Sequence, residues 1–180
     1  MRITLATLAL LCVTFAGANQ ALAQAAVPGP VAKQIVALDE CDPTTFNAAL
    51  GPDFCKNIAL GYSTTFDKLF KEAAAGHPDK KWDFEPDTVS VKQGTPLNVV
   101  DQGGEPHTFT EVAQFGGGFI PGLNGGQDVV PECAGGFAKV KVARTRLLQG
   151  SQLQVAGLSK GTHNFQCCIH PWMRVTVDVK

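Results

Sequence analysis

Cys167, His170 and Met173 lie on one short loop near the C-terminus, in the run His163-Asn164-Phe165-Gln166-Cys167-Cys168-Ile169-His170-Pro171-Trp172-Met173. A thiolate, an imidazole and a thioether brought together suit a soft metal, because sulfur donors favour copper and leave magnesium or calcium unbound. A trigonal copper site of this kind takes two imidazoles and one thiolate, with a weak thioether on the axis. The loop supplies only one imidazole. His107, in Gly104-Glu105-Pro106-His107-Thr108-Phe109-Thr110, is the candidate for the other, at the head of a run that alternates like a strand. The chain holds two methionines, one of them the initiator, so the remaining Met stands at the axial position. Zinc fits less well, since zinc sites draw on Cys, His and carboxylates and do not recruit Met.

The C-x-x-H-x-x-M loop with an upstream Pro-His resembles the cupredoxin family of small blue-copper proteins, in its amicyanin and plastocyanin-like form, over about residues 82–180. The resemblance implies a metal set of His107, Cys167, His170 and Met173 around one mononuclear Cu(I)/Cu(II) ion, and an electron carrier without catalytic turnover of its own. It also implies that His170 reaches the surface as the electron path. Pro171 and Trp172 would form an apolar rim there, and redox protein partners would dock near His170 and Trp172 on a monomer. Thr108 stands where relatives often carry Asn, and Cys168 lies inside the ligand loop, so hydrogen bonding around the metal is not carried over. Storage or delivery of copper from the same site is the alternative function, and an accessory domain of a larger copper enzyme is a third.

Other chemistries lack their residues. A trinuclear oxidase centre would want His on both sides of the ligand cysteine, where Gln166 and Cys168 stand, and a binuclear copper loop would want two separated ligand cysteines. No C-x-x-C-H motif offers covalent haem attachment. The glycine-rich stretch has no phosphate-loop pattern. A net charge of −1 gives no electrostatic reason to expect a nucleic-acid partner.

Residues 1–23 read as an export signal, with Arg2, an apolar run from Ile3 to Ala16 and a small-x-small site at Ala21-Leu22-Ala23; cleavage is expected after Ala23. The run is shorter than the roughly 20 residues a membrane span needs. Leu11 is too large to precede a lipid-bearing Cys12. The expected location is periplasmic or secreted, with no stable membrane insertion. Beyond the signal remain Cys41, Cys55, Cys133, Cys167 and Cys168, an odd number for an oxidising compartment. If Cys167 holds copper, the other four can pair, and the expected pairs are Cys41–Cys55 and Cys133–Cys168. Strand alternation sets Cys167 and Cys168 on opposite faces, which favours Cys168 as the tether. A vicinal Cys167–Cys168 bridge and Cys168 as the ligand remain open.

The positioning elements are read as an all-β Greek-key sandwich or barrel of about seven or eight strands, with a short N-terminal disulfide loop and helix. Residues 24–80 form the N-terminal extension and 81–180 the copper domain. Residues 24 to about 33 read as a loose terminus. Phe66, Leu69, Phe70 and Ala73 make one helical stripe, capped by Thr64 with Asp67 and stopped at Gly76. That helix is expected to dock on the sandwich, and His77 after it to be an exposed loop residue. Strands are expected at 82–84, 88–91, 97–100, 137–142, 152–155, 162–167 and 175–179, with 88–91 and 97–100 flanking a turn. Phe115 and Phe119 belong to a glycine-rich loop near the metal end. His163 is read as a hydrogen-bonded core residue rather than a ligand.

Overall fold

The computed structural model describes residues 30–56, 61 and 63–180. The expected export signal and its cleavage point lie outside these residues. Alternating β-branched and apolar side chains form strands wherever one face can be buried. β1 (Lys33–Leu38), β2 (Asp83–Glu85), β3 (Thr88–Val91), β4 (Leu97–Asp101), β5 (His107–Thr108), β6 (Thr110–Val112), β7 (Arg146–Leu147), β8 (Gln152–Val155), β9 (Gly161–Gln166) and β10 (Arg174–Val179) follow in chain order. One sheet runs β2-β1-β4-β8, the other β3-β10-β9-β6, and β5 pairs with β7 alone. Each larger sheet is mixed: β1 lies parallel to β4 and β3 parallel to β10, with the other pairs antiparallel. Ile35, Ala37, Leu97 and Val99 of the first sheet join Val89, Phe165, Val175 and Val177 of the second in one core. The chain is thus mostly β, and the described strands do not close into a barrel.

The N-terminal segment belongs to this core. β1 begins where the loose terminus was expected to end, and it is the inner neighbour of both β2 and β4. α1 (Pro43–Leu50), absent from the sequence expectation, starts at Asp42, whose carboxylate accepts from the Thr44 and Thr45 amides while Pro43 occupies the first turn. α2 (Phe66–Ala74) is the expected helix, but Thr65 caps it, accepting from Lys68 N. Thr64 instead turns its hydroxyl to Asp79. The helix stops as expected: Gly76 N donates to Ala73 O and His77 N to Glu72 O. Phe46 of α1 and Leu69 and Ala73 of α2 join the main core, and Phe46 meets Phe66 edge-on at 5.4 Å. His77 is exposed, as expected.

Residues 88–91 and 97–100 are two strands around a turn, as expected, and because β3 and β4 lie in different sheets that turn crosses the sandwich. One other expectation is corrected: residues 137–142 are not a strand. A 3₁₀ turn over Gly136–Ala138 and α3 (Val140–Arg144) occupy that stretch. Gly135 and Gly136 have φ of 84° and 53°, which curls the chain just after Cys133 into helical turns. Only Val142 of that alternating set is fully buried. It packs in a satellite cluster with Val112, Val130, Cys133 and Cys168, against which Phe115 and Phe119 rest.

Candidate metal centre

The site forms where β9 ends and β10 begins. Arg174 pairs with Gln166, so the antiparallel ladder closes the base of the loop between them. Cys167 N donates to Met173 O at 3.0 Å, and Met173 N donates to His170 O at 3.0 Å. This folds Cys167 and His170 onto one side. His107 arrives from β5, whose Thr108 amide points at the Cys167 sulfur at 3.4 Å. A second amide, His170 N, lies at 3.4 Å from the same sulfur. His107 Nδ1 is 4.0 Å and His170 Nδ1 3.9 Å from Cys167 Sγ. One ligand atom from each of the three residues lies within 4.8 Å of the other two, and all three residues are buried. Met173 is fully buried in the main core directly after them.

These dimensions suit a metal ion. With bonds of about 2.0–2.1 Å to imidazole nitrogen and about 2.3 Å to thiolate sulfur, trigonal angles put each N···S edge at about 3.8 Å. Both imidazoles present Nδ1 inward, and two amides stand ready to tune the sulfur. Burial alone would push the Cys167 thiol up, but the hydrogen bonds and charges of His107 and His170 overcome it and hold the thiol well below its usual range. Burial likewise opposes a charged His107, and the bond to Asp39 reverses this, raising His107 well above its usual value.

Carboxylates stand behind both rings, and the sequence reading did not single them out. Asp39, just past β1, meets His107 Nε2 at 2.9 Å. Glu105 Oε2 lies 3.5 Å from His170 Nε2 and accepts from Trp82 Nε1 at 2.7 Å. Burial pushes Glu105 up to about 7. Glu105 is two residues before His107 and so was within sight of the motif. Nothing local marks Asp39, 68 residues away from its partner. Thr108, the departure from the family pattern, uses its hydroxyl to accept from Cys168 N at 2.7 Å.

Among the described residues the disulfides are Cys41–Cys55 and Cys133–Cys168, and Cys167 is the free cysteine. Cys167 lies in the main core and Cys168 in the satellite cluster, on opposite sides as expected, although both stand just past the end of β9. His170 does not reach the surface. It is 1% exposed, with Trp82 and Trp172 at ring distances of 6.3 and 5.5 Å. Above it an apolar cleft of about 230 Å³ is walled by Phe46, Phe66, Phe70, Phe119, Ile120 and Phe137. The N-terminal helices cover what the resemblance leaves open. Pro171 is buried and Trp172 half-buried, so they form no open rim. His163 is hydrogen-bonded, to Glu111 Oε1 at 2.7 Å and Ser159 O at 2.9 Å, but it is half-buried rather than in the core, since only the last two residues of β9 are fully buried.

No known family profile and no curated protein matches the chain. Among solved structures it is similar to a novel purple cupredoxin from Nitrosopumilus maritimus, at 14% identity and a TM-score of 0.40, over 82% of this chain and 99% of that one. It is also similar to a reduced amicyanin with a Trp-to-Tyr substitution, at 20% identity and a TM-score of 0.37, over 57% of this chain and 77% of that one. Likeness at this level leaves the function of the site to its own geometry.

Proposed function

We propose that the protein is an exported electron carrier that holds one copper ion with His107, Cys167, His170 and Met173 and turns over no substrate of its own. The observation that carries this reading is the buried thiolate sulfur with two imidazole nitrogens at 4.0 and 3.9 Å. Bound copper would supply a one-electron Cu(I)/Cu(II) couple. The protein's part is to hold the donors in place, so that neither oxidation state needs the chain to rearrange. Two amides and two carboxylates set the electrostatics around them, and the burial of all three residues keeps bulk water off. In this reading the two sheets are a cupredoxin-like Greek-key sandwich. Protein redox partners dock over the cleft above His170 and beside Trp172. Two disulfides accord with a periplasmic or secreted location, and no helix among the described residues is long and apolar enough to cross a membrane.

Addition of copper(II) to the purified protein is expected to give an intense thiolate-to-copper band in the visible spectrum. Cys167→Ser abolishes it. No band in a protein whose Cys167 thiol is free and reduced would overturn the reading. Copper storage or delivery would instead need ready exchange, which the 1% exposure of His170 opposes. Loss of the ion to a chelator within seconds would favour that alternative.

A further inference from the structure

We propose that Asp39 is the positioning residue of this centre, fixing His107 in the tautomer whose Nδ1 is open to the metal and placing a negative charge behind the ring. The proposal rests on the copper reading above. It makes the N-terminal segment a working part of the site.

The Asp39 side chain is completely buried. Oδ1 accepts from Cys41 N at 3.2 Å and Gly104 N at 2.9 Å. Oδ2 accepts from Glu105 N at 3.0 Å and is paired with His107 Nε2 at 2.9 Å. A carboxylate offers about four acceptor sites, and here each faces a donor. Asp39 therefore has no room for a proton of its own. The ring orientation follows. With its Nε2 proton donated to Asp39, His107 turns Nδ1 toward Cys167, where a bound metal would take its lone pair. The opposite tautomer would set a nitrogen lone pair against a carboxylate oxygen at 2.9 Å and point a proton at the metal position.

The same saturation decides a competing reading. Asp39, Asp101 and His107 also bring three ligand atoms within 4.8 Å of one another, which could suggest a second cation site. Three backbone amides already converge on Asp39, and amides repel a cation. Asp39 is an acceptor that orients an imidazole, not a metal ligand.

Three segments build this arrangement. A Cβ on Gly103 would stand 1.9 Å from Asp39 Oδ2, and one on Gly104 would stand 2.5 Å from Cys41 Sγ. The turn before His107 thus closes around the carboxylate, with the Cys41–Cys55 bridge pressed against its other side. A fixed anion behind the ligand stabilises Cu(II) more than Cu(I), so it lowers the reduction potential.

The test uses the full mature protein, metal-free and copper-loaded, with Asp39→Asn as the variant that keeps shape but removes charge. In wild type, nitrogen NMR is expected to show a slowly exchanging His107 Nε2 proton in both the metal-free and the Cu(I) forms. Metal analysis is expected to find one copper per chain. In Asp39→Asn the potential rises, and Cu(II) binding weakens about 10- to 100-fold while Cu(I) binding changes less. A folded Asp39→Asn protein with unchanged potential and affinity would overturn the proposal. So would a wild-type Cu(I) form with its His107 proton on Nδ1, or a second ion per chain lost with Asp39. If Asp39→Asn does not fold, the exchange rate of the wild-type His107 Nε2 proton decides alone: slow exchange is expected of a proton held by Asp39, and exchange as fast as that of a free imidazole would overturn the proposal. If wild type binds no copper, the function proposed above fails, while the Nε2 proton of the metal-free protein still reports on the Asp39 clamp.

Discussion

Two disulfides flank the centre, and they brace different things. Cys133–Cys168 ties the glycine-rich stretch to the residue next to Cys167, on the satellite side of β9. Cys41–Cys55 lies across the site, two residues past Asp39, and stands against Gly104. On the first side the backbone of Cys168 is held independently, since Cys168 N donates to Thr108 Oγ1 and Phe119 N donates to Cys168 O at 2.8 Å. On the second side the bridge and the carboxylate share their support: Cys41 N donates to Asp39, and Lys56 N, just past Cys55, donates to Gly104 O at 2.9 Å. One bridge secures the ligand loop from outside, and the other is part of the scaffold that orients a ligand.

That contrast can be broken by removing each bridge in turn. Replacing Cys133 and Cys168 together by Ser opens the longer loop, 35 residues against 14. Chain entropy then puts the loss at about 4 kcal/mol, read by denaturant unfolding of the metal-free protein. The copper band and potential should stay near wild type, because the Thr108 and Phe119 bonds remain. A large change in the spectrum would mean that this bridge, too, shapes the ligands.

Replacing Cys41 and Cys55 together by Ser should cost less stability, about 3 kcal/mol by the same relation. It should disturb the centre more. Loosening the Cys41 amide and the Gly104 turn frees Asp39, so the potential is expected to shift upward, in the direction of Asp39→Asn. Voltammetry of both double variants side by side checks this ordering. Equal potentials would show that the Asp39 clamp stands without its bridge.

The same contrast governs what could be read in the sequence. Cys167, His170 and Met173 fall within one turn of chain, and Cys167 and Cys168 go to different clusters on opposite sides, as expected. Their proximity to His107 is a long-range fact, but Pro106-His107 carried a recognisable pattern. Asp39 had no such mark. Its place depends on β1 lying parallel to β4, a pairing between segments more than sixty residues apart, Ile35 opposite Val99 and Ala37 opposite Asp101. β1 itself was hidden because only Ile35 and Ala37 of its six residues are fully buried. The reverse error arose at 137–142, where lysines alternating with small apolar residues imitate a strand although the positive-φ glycines just before them turn the chain into helical turns. The burial of His170 escaped for a related reason: it depends on Phe46 and the two N-terminal helices, which the ligand loop does not encode.

A smaller effect separates Asp39 from its neighbour Asp101, which lies in the same buried region without the same donors. Asp101 Oδ1 accepts from Gly103 N at 2.9 Å, and Oδ2 has no partner among the described residues. Burial pushes Asp101 up from its ordinary 3.8 to about 7, whereas the His107 bond and the amides keep Asp39, against its own burial, below its ordinary value. Between these limits native Asp101 keeps a proton that the unfolded chain has released. The unfolded state then binds fewer protons, so stability present at low pH is lost as pH rises toward 7. From pH 5 to pH 7 the loss on this account is about 2 kcal/mol. Asp101→Asn cannot ionise and should lack that component. Urea unfolding of the metal-free wild type and variant at the two pH values isolates it: their stability difference should move by about 2 kcal/mol in the variant's favour at the higher pH. A difference that does not move with pH would mean that Asp101 is ionised in the native state, and that the amide donors around Asp39 also relieve its neighbour.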